Sequence, residues 1–110
     1  MIQQRTTIAG SGVNDNLLTG SQWEYLPFNA KVNFGLNGDA NAVDLRVDVY
    51  SGTDVLLENG MINSKAQFPV YPDDYQLADV AGAGERLKIR VRNLNAATRD
   101  IFWSVLINRL

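Results

Sequence analysis

Cysteine and histidine are both absent from this 110-residue chain. Without cysteine there are no disulfides, thiolate metal sites or thiol nucleophiles, and the redox compartment is left open. Without histidine there is no Ser-His-Asp or Cys-His catalysis, no imidazole-ligated zinc, and no side chain that ordinarily titrates near neutrality. Most hydrolytic and metal-dependent mechanisms close with these two absences. Long apolar runs are missing too: none approaches the roughly 20 residues of a membrane helix. The start, Met1-Ile2-Gln3-Gln4-Arg5, lacks the apolar middle of a secretory signal. The expectation is a protein made in the cytoplasm, with release by another route left open. Gly10-Ser11-Gly12 and Gly82-Ala83-Gly84 lack the lysine and following helix of a phosphate loop.

What is present is alternation. Val43, Leu45, Val47 and Val49 interleave with Asp44, Arg46, Asp48 and Tyr50, and Leu87, Ile89 and Val91 with Arg86, Lys88, Arg90 and Arg92. A period of two marks strands with one face on a core and one on water. The length suits one domain with one core, and 45% apolar with 20% charged residues is a globular composition.

The chain is read as follows. Residues 2–9 form a short strand, and Gly10–Asn16 a loop or mobile arm. Trp23, Tyr25, Leu26 and Phe28 make an aromatic-rich edge segment interrupted by Pro27. Ala30–Leu36, Ala42–Tyr50 and Val55–Glu58 read as a three-strand meander, its first turn marked by Asn37-Gly38. Ala66–Val70 reads as a strand weakened by Pro69, Tyr71–Tyr75 as a turn, and Gln76–Ala81 as a helical turn or loop. Glu85–Asn93 and Asp100–Leu110 are the closing strands. Seven or eight strands punctuated by Gly, Asn and Asp predict an all-β protein: a single antiparallel β-sandwich, as an eight-strand jelly roll. Residues 1–22 are assigned to a flexible N-terminal arm or edge segment, and 23–110 to the sandwich.

The last strand is apolar on both faces. Ile101, Trp103, Val105 and Ile107 share one side, Phe102 and Leu106 the other. Such a strand needs cover twice, so Phe102 and Leu106 are candidates for a subunit contact, with cover by the N-terminal segment as the alternative. Burial between subunits would contribute about 1.5–3 kcal/mol per side chain.

Other candidates are weaker. Asp39, Asp44, Asp48, Asp73 and Asp74 offer oxygen ligands for calcium, but no EF-hand spacing exists, and turn capping accounts for Asp73 and Asp74. No metal or cofactor is called for. Glu24, Glu58 and Glu85 suggest no carboxylate pair at the roughly 5–9 Å that glycoside hydrolysis needs, and the chain is read as non-enzymatic. Trp23, Tyr25, Tyr71 and Tyr75 are candidate glycan-stacking residues; their structural alternative is capping the ends of the sandwich. Residues 1–84 carry ten acids and four bases, a charge of −6, whereas 85–110 carry two acids and six bases, +4. Arg86, Lys88, Arg90, Arg92 and Arg99 form a basic strip with no interleaved aromatic ring, so cross-strand ion pairing is expected and nucleic-acid binding is not.

The strands Ala42–Tyr50 and Glu85–Asn93 and the run Ile101-Phe102-Trp103-Ser104-Val105-Leu106-Ile107 together resemble, as a pattern from Ala30 to Leu110, the small jelly-roll decoration, cement or spike proteins of bacterial viruses. That resemblance implies a virion component, homotrimeric, bound to a major capsid or other virion protein, with residues 1–22 as an arm reaching neighbours. A carbohydrate-binding module for receptor recognition is the rival reading, and an inter-subunit plug of some bacterial assembly a third.

Overall fold

Every regular element that forms is extended. The computed structural model describes residues 2–38, 45–65, 67–70, 74, 75 and 77–110, and among them there is no helix. In chain order the strands are β1 (Ile2–Ile8), β2 (Val13–Asn14), β3 (Ala30–Gly38), β4 (Leu45–Ser51), β5 (Asp54–Gly60), β6 (Asn63–Ser64), β7 (Leu77–Ala81), β8 (Leu87–Asn93) and β9 (Arg99–Arg109). They build two sheets. The front sheet runs β1-β9-β3, with β7 and then β6 sharing the far side of β3; the back sheet runs β2-β8-β4-β5. All pairings are antiparallel except the short β3–β6 contact.

The pairings nest. β1 meets β9, β2 meets β8, β3 meets β7, and β4 meets β5, like the rungs of one long hairpin. Its tip is the Gly52-Thr53 turn, where Gly52 takes a φ of 60° that a β-carbon would resist. Rolling that hairpin until β9 pairs β3 and β8 pairs β4 gives the jelly roll expected from the strand count. Alternation then fills the space between the sheets. Val32, Phe34, Leu36, Ile101, Trp103 and Val105 from the front pack against Leu45, Val47, Val49, Leu87, Ile89 and Val91 from the back, all buried. Trp103, the largest, keeps its ring nitrogen satisfied by donating to Thr6 Oγ1 at 3.0 Å.

Three expectations change. The meander does not form: β3 and β4 lie in different sheets, so the chain crosses the sandwich between them. The hairpin signal at Asn37-Gly38 misleads because both residues belong to a central strand, with the Asn37 side chain fully buried and its amide donating to Gln67 O and Asp74 Oδ2. The remainder of that turn, residues 39–41, lies outside the described residues. The segment read as a helical turn or loop, Gln76–Ala81, contains β7; Leu77, Asp79 and Ala81 turn inward and its five residues pair with β3 from Ala30 to Phe34. Gln67–Val70, read as part of a strand, has no strand pairing.

The N-terminal region is an edge segment and not an extended arm. β1 pairs with β9 in unbroken register from Ile2–Val105 to Ile8–Arg99, and Leu18 is fully buried. Between them the chain seals the edge of β8 with a side chain. Asn16 Nδ2 donates to Leu87 O at 3.2 Å, and Asn16 Oδ1 accepts from Ile89 N at 3.1 Å and Leu18 N at 3.0 Å. One amide thus stands in for the neighbouring strand that the two-residue β2 is too short to supply. Asn16→Ala is expected to strand the Leu87 carbonyl and the Ile89 amide, costing roughly 1–3 kcal/mol for each. Urea unfolding checks this; an unchanged midpoint would mean that water replaces the amide.

Candidate functional site

The outer face of the front sheet is where this sandwich departs from a two-layer design. Counting outward residues across the sheet, Arg5, Phe102 and Asn37 form one row, and Gln3, Ser104 and Gly35 the next. Over these rows lies a strap made from residues 67–70, 74 and 75. Gly35 makes room for it: a β-carbon there would come within 2.6 Å of Pro69 Cβ and 3.1 Å of Tyr75 Cε1. Phe68 sets its ring edge-on to Phe102, with centroids 5.4 Å apart at 90°. The Tyr75 hydroxyl bonds to Ser104 Oγ. Pro69 and Ser104 are buried in consequence.

Asp74 pins the strap. Its carboxylate accepts from Val70 N at 2.9 Å and Asn37 Nδ2 at 3.3 Å and pairs with the Lys65 ammonium. The Lys65 contact, and next the Val70 amide, hold this carboxyl below the usual aspartate value, against the opposing effect of burial. Beside the strap, Asp100 accepts from Thr7 Oγ1 at 2.7 Å and Arg5 Nε at 2.9 Å, and those two partners, the hydroxyl first, lower it likewise. Arg5, so held, lies over the Phe102 ring at 5.3 Å from its centroid.

Phe102 and Leu106 are both half-buried. The second cover for Phe102 comes from within the chain, from Phe68 and from Arg5 of β1. The strap in turn exposes its own apolar groups: Phe68 is 41% and Val70 54% accessible. Sequence reasoning missed the strap because Ala66–Val70 reads as a strand weakened by Pro69 and Asp74 as part of a turn, and neither reading points to the sheet beneath.

The aromatic candidates do not converge. Tyr75 belongs to the strap, its hydroxyl held by Ser104 of the sheet. Trp23 packs on Phe28 at 5.9 Å, with Arg109 over Phe28 at 5.2 Å. Tyr25 bridges to Arg86 just ahead of β8 and is 58% exposed, with the guanidinium 5.9 Å from its ring. Tyr71 lies outside the described residues, as do Asp39, Asp44 and Asp73. Asp48 is spent on structure. The β4–β5 register slips between Val47 and Val49, and Asp48 Oδ1 accepts from Asn59 N at 2.6 Å and lies 3.5 Å from an Arg92 nitrogen. Among the described residues no group of three or more acids is arranged to hold a metal ion.

Acids lie against Arg86, Arg90 and Arg92 of the basic strip. Arg86 pairs with Glu24 at 2.8 Å, Arg90 with Asp15 at 3.6 Å and Arg92 with Asp48, while Lys88 sits 5.6 Å from the Tyr50 ring centre. Arg99 donates to the Thr98 carbonyl. Of these three acid contacts the Asp48 one is cross-strand; Asp15 and Glu24 reach in from the segment that follows β2. A pocket of about 100 Å³ opens beside β5 and β7, floored by Phe34 and Leu36 and rimmed by Leu57, Met61, Ile62, Leu77 and the already satisfied Asp74. It has room for a small apolar group and presents no reactive pairing. On these same two strands, Asp54 of β5 and Asp79 of β7 share a side-chain hydrogen bond, and that contact raises Asp54 above its ordinary value.

These shifts carry opposite signs. Asp74 and Asp100, lowered on folding, contribute stability that is complete above about pH 5 and lost as pH falls through their depressed values. Asp54, raised on folding, contributes at low pH and loses that contribution as pH rises through its elevated value. Asp74→Asn is therefore expected to lower the thermal midpoint at pH 7 and to flatten the acid limb. Asp54→Asn, which keeps a donor toward Asp79 without the repulsion, is expected to raise the midpoint at pH 7 and to leave it unchanged near pH 3. Melting curves at steps between those pH values read both effects.

A scan against models of known protein families finds no match to the chain, and a search of curated proteins finds no similar sequence.

Proposed function

We propose that this chain is a non-enzymatic structural protein of a virion, a decoration, cement or spike component that binds a capsid surface and associates with copies of itself. The observation that carries the reading is the strap: it completes the fold's own second layer of cover and in doing so turns Phe68 and Val70 outward on a sheet face. Apolar groups held rigidly on a sheet are suited to protein contact. The jelly roll is a fold of viral capsid domains as well as of lectins and cupins, and fold alone does not choose among them. Charge argues in the same direction as the strap. The acids beside Arg86, Arg90 and Arg92 reduce the electrostatic footprint that nucleic acid requires. A repeated lattice of partners would make each contact's modest energy sufficient through avidity. Capsid shells from the virus that encodes the chain, pelleted with the purified protein, are expected to carry it down at a saturating ratio. Val70→Glu is expected to weaken that at least tenfold with the melting temperature unchanged. Failure of the wild type to pellet would overturn the reading.

Tyr25 supports one other reading, a carbohydrate-binding module. Its exposed ring, flanked by Arg86, could stack on a sugar face. A glycan array read with the wild type and with Tyr25→Ala separates the two: hits that vanish in the variant favour sugar recognition.

A further inference from the structure

The free edge of β1 is unlike every other edge of this sandwich. In the back sheet, β2 is cut to two residues and Asn16 caps the strand behind it. At the other end, β5 is kinked by a register slip with Asn59 at a φ of 49° and carries Asp54 and Glu58. β7 is five residues long and places Asp79 at the Asp54 contact. Shortening, bulges and charge are the ordinary means by which sheets avoid pairing with other chains. β1 has none of them. It runs seven residues without a bulge or proline, and among the described residues no strand lies beyond it. Its one charge, Arg5, leans back across the sheet to Asp100 and Phe102 and so does not guard the edge.

We infer that β1 is a strand-addition site, and that its occupant is a second copy of this chain, joined antiparallel about a two-fold axis so that the front sheets become continuous. The register follows from faces and charge. Keeping both cores on one side of the joined sheet sets outward residues opposite outward ones. Centring on Arg5 would oppose two guanidinium groups, which is unfavourable. Centring on Thr6 would bring in the Ile8 end, where the chain turns to β2 and Ile8 O already accepts from Asn93 Nδ2. Centring on Gln4 opposes Gln4 to Gln4, amide to amide, and sets Gln3 opposite Arg5 of the second copy, so that no two like charges face each other. Gln3, Gln4 and Arg5 are all exposed.

Such a contact is isologous and closes at two copies, in place of the three-fold symmetry that the virion resemblance implies. It supplies the self-association that the proposed function calls for, but its test reads mass and not capsid binding, so either can fail alone. Sedimentation at 10–100 µM, about the range where weak dimers separate from monomers, is expected to show the wild type at twice the chain mass. Gln4→Lys and Gln4→Glu, each placing like charges on the axis, are expected to run as monomers, and an equimolar mixture of the two to regain the doubled mass. Hydrogen exchange on β1 amides should slow with concentration in the wild type and in the mixture only. A wild-type monomer across that range, a trimer, or a dimer that persists in both single variants would overturn the assignment. Unchanged circular dichroism and melting of the variants confirm that loss of mass is not loss of fold.

Discussion

β9 is the strand that everything else in this molecule must accommodate. It is hydrogen-bonded along both edges, to β1 and to β3, and it needs apolar cover on both faces. The inner face is met by the back sheet through Ile101, Trp103 and Val105. The outer face would leave Phe102 and Ser104 against water, and a sandwich of two layers has nothing to put there. The chain answers by laying residues 67–70, 74 and 75 across the front sheet and by docking Arg5 on the Phe102 ring. Cover of this kind requires close backbone approach, which is why a glycine stands at position 35 between a buried phenylalanine and a buried leucine. Because β9 is the last strand and β1 the first, the front sheet closes only when the two ends of the sequence meet. Non-local closure of that kind makes folding slow relative to a meander of the same size.

The alternation in residues 45–51 and 87–93 made β4 and β8 legible, and the doubly apolar run made β9 legible together with its need for two covers. Strand number and turn composition were enough to name the jelly roll. Partnership was not legible. Adjacent strands joined by an Asn-Gly step read as a hairpin, yet nested pairing places β3 and β4 in opposite sheets, since the energetic preference belongs to distant strands such as β8 and β9 with complementary faces. Asparagine misled most. Asn16 and Asn37 read as loop and turn residues and Asn93 as the end of a strand, but all three are buried and do backbone-like work: Asn16 mimics a missing strand, Asn37 holds the strap, and Asn93 ties the Ile8, Ala9 and Ala97 carbonyls together. A side-chain amide carries one donor and one acceptor group in the geometry of a peptide, and a composition count cannot distinguish that use from a turn.

The candidate site was legible in half. Phe102 and Leu106 were recognisable as residues needing an outer partner. Its source was hidden, because Ala66–Val70 reads as a strand weakened by Pro69 and its anchor, Asp74, looks like turn chemistry. Ion pairing of the basic strip was expected as a cross-strand effect. Only Asp48 supplies it that way; Glu24 and Asp15 come from a loop whose course depends on Leu18 and Leu26 being drawn into the core.

Arg5 joins the two features on which function turns. Its guanidinium is bonded to Asp100 and rests on Phe102, so it closes the outer face of β9 beside Phe68. The same posture withdraws the single charge of β1 from its edge, where a lysine or arginine reaching outward would oppose pairing. Covering β9 and baring β1 are therefore one event and not two. A chain that capped the β8 edge with a buried amide, bulged β5 and shortened β7 had the means to blunt β1 as well. Using its one cation there to complete the strap layer leaves open the longest straight edge of the sandwich.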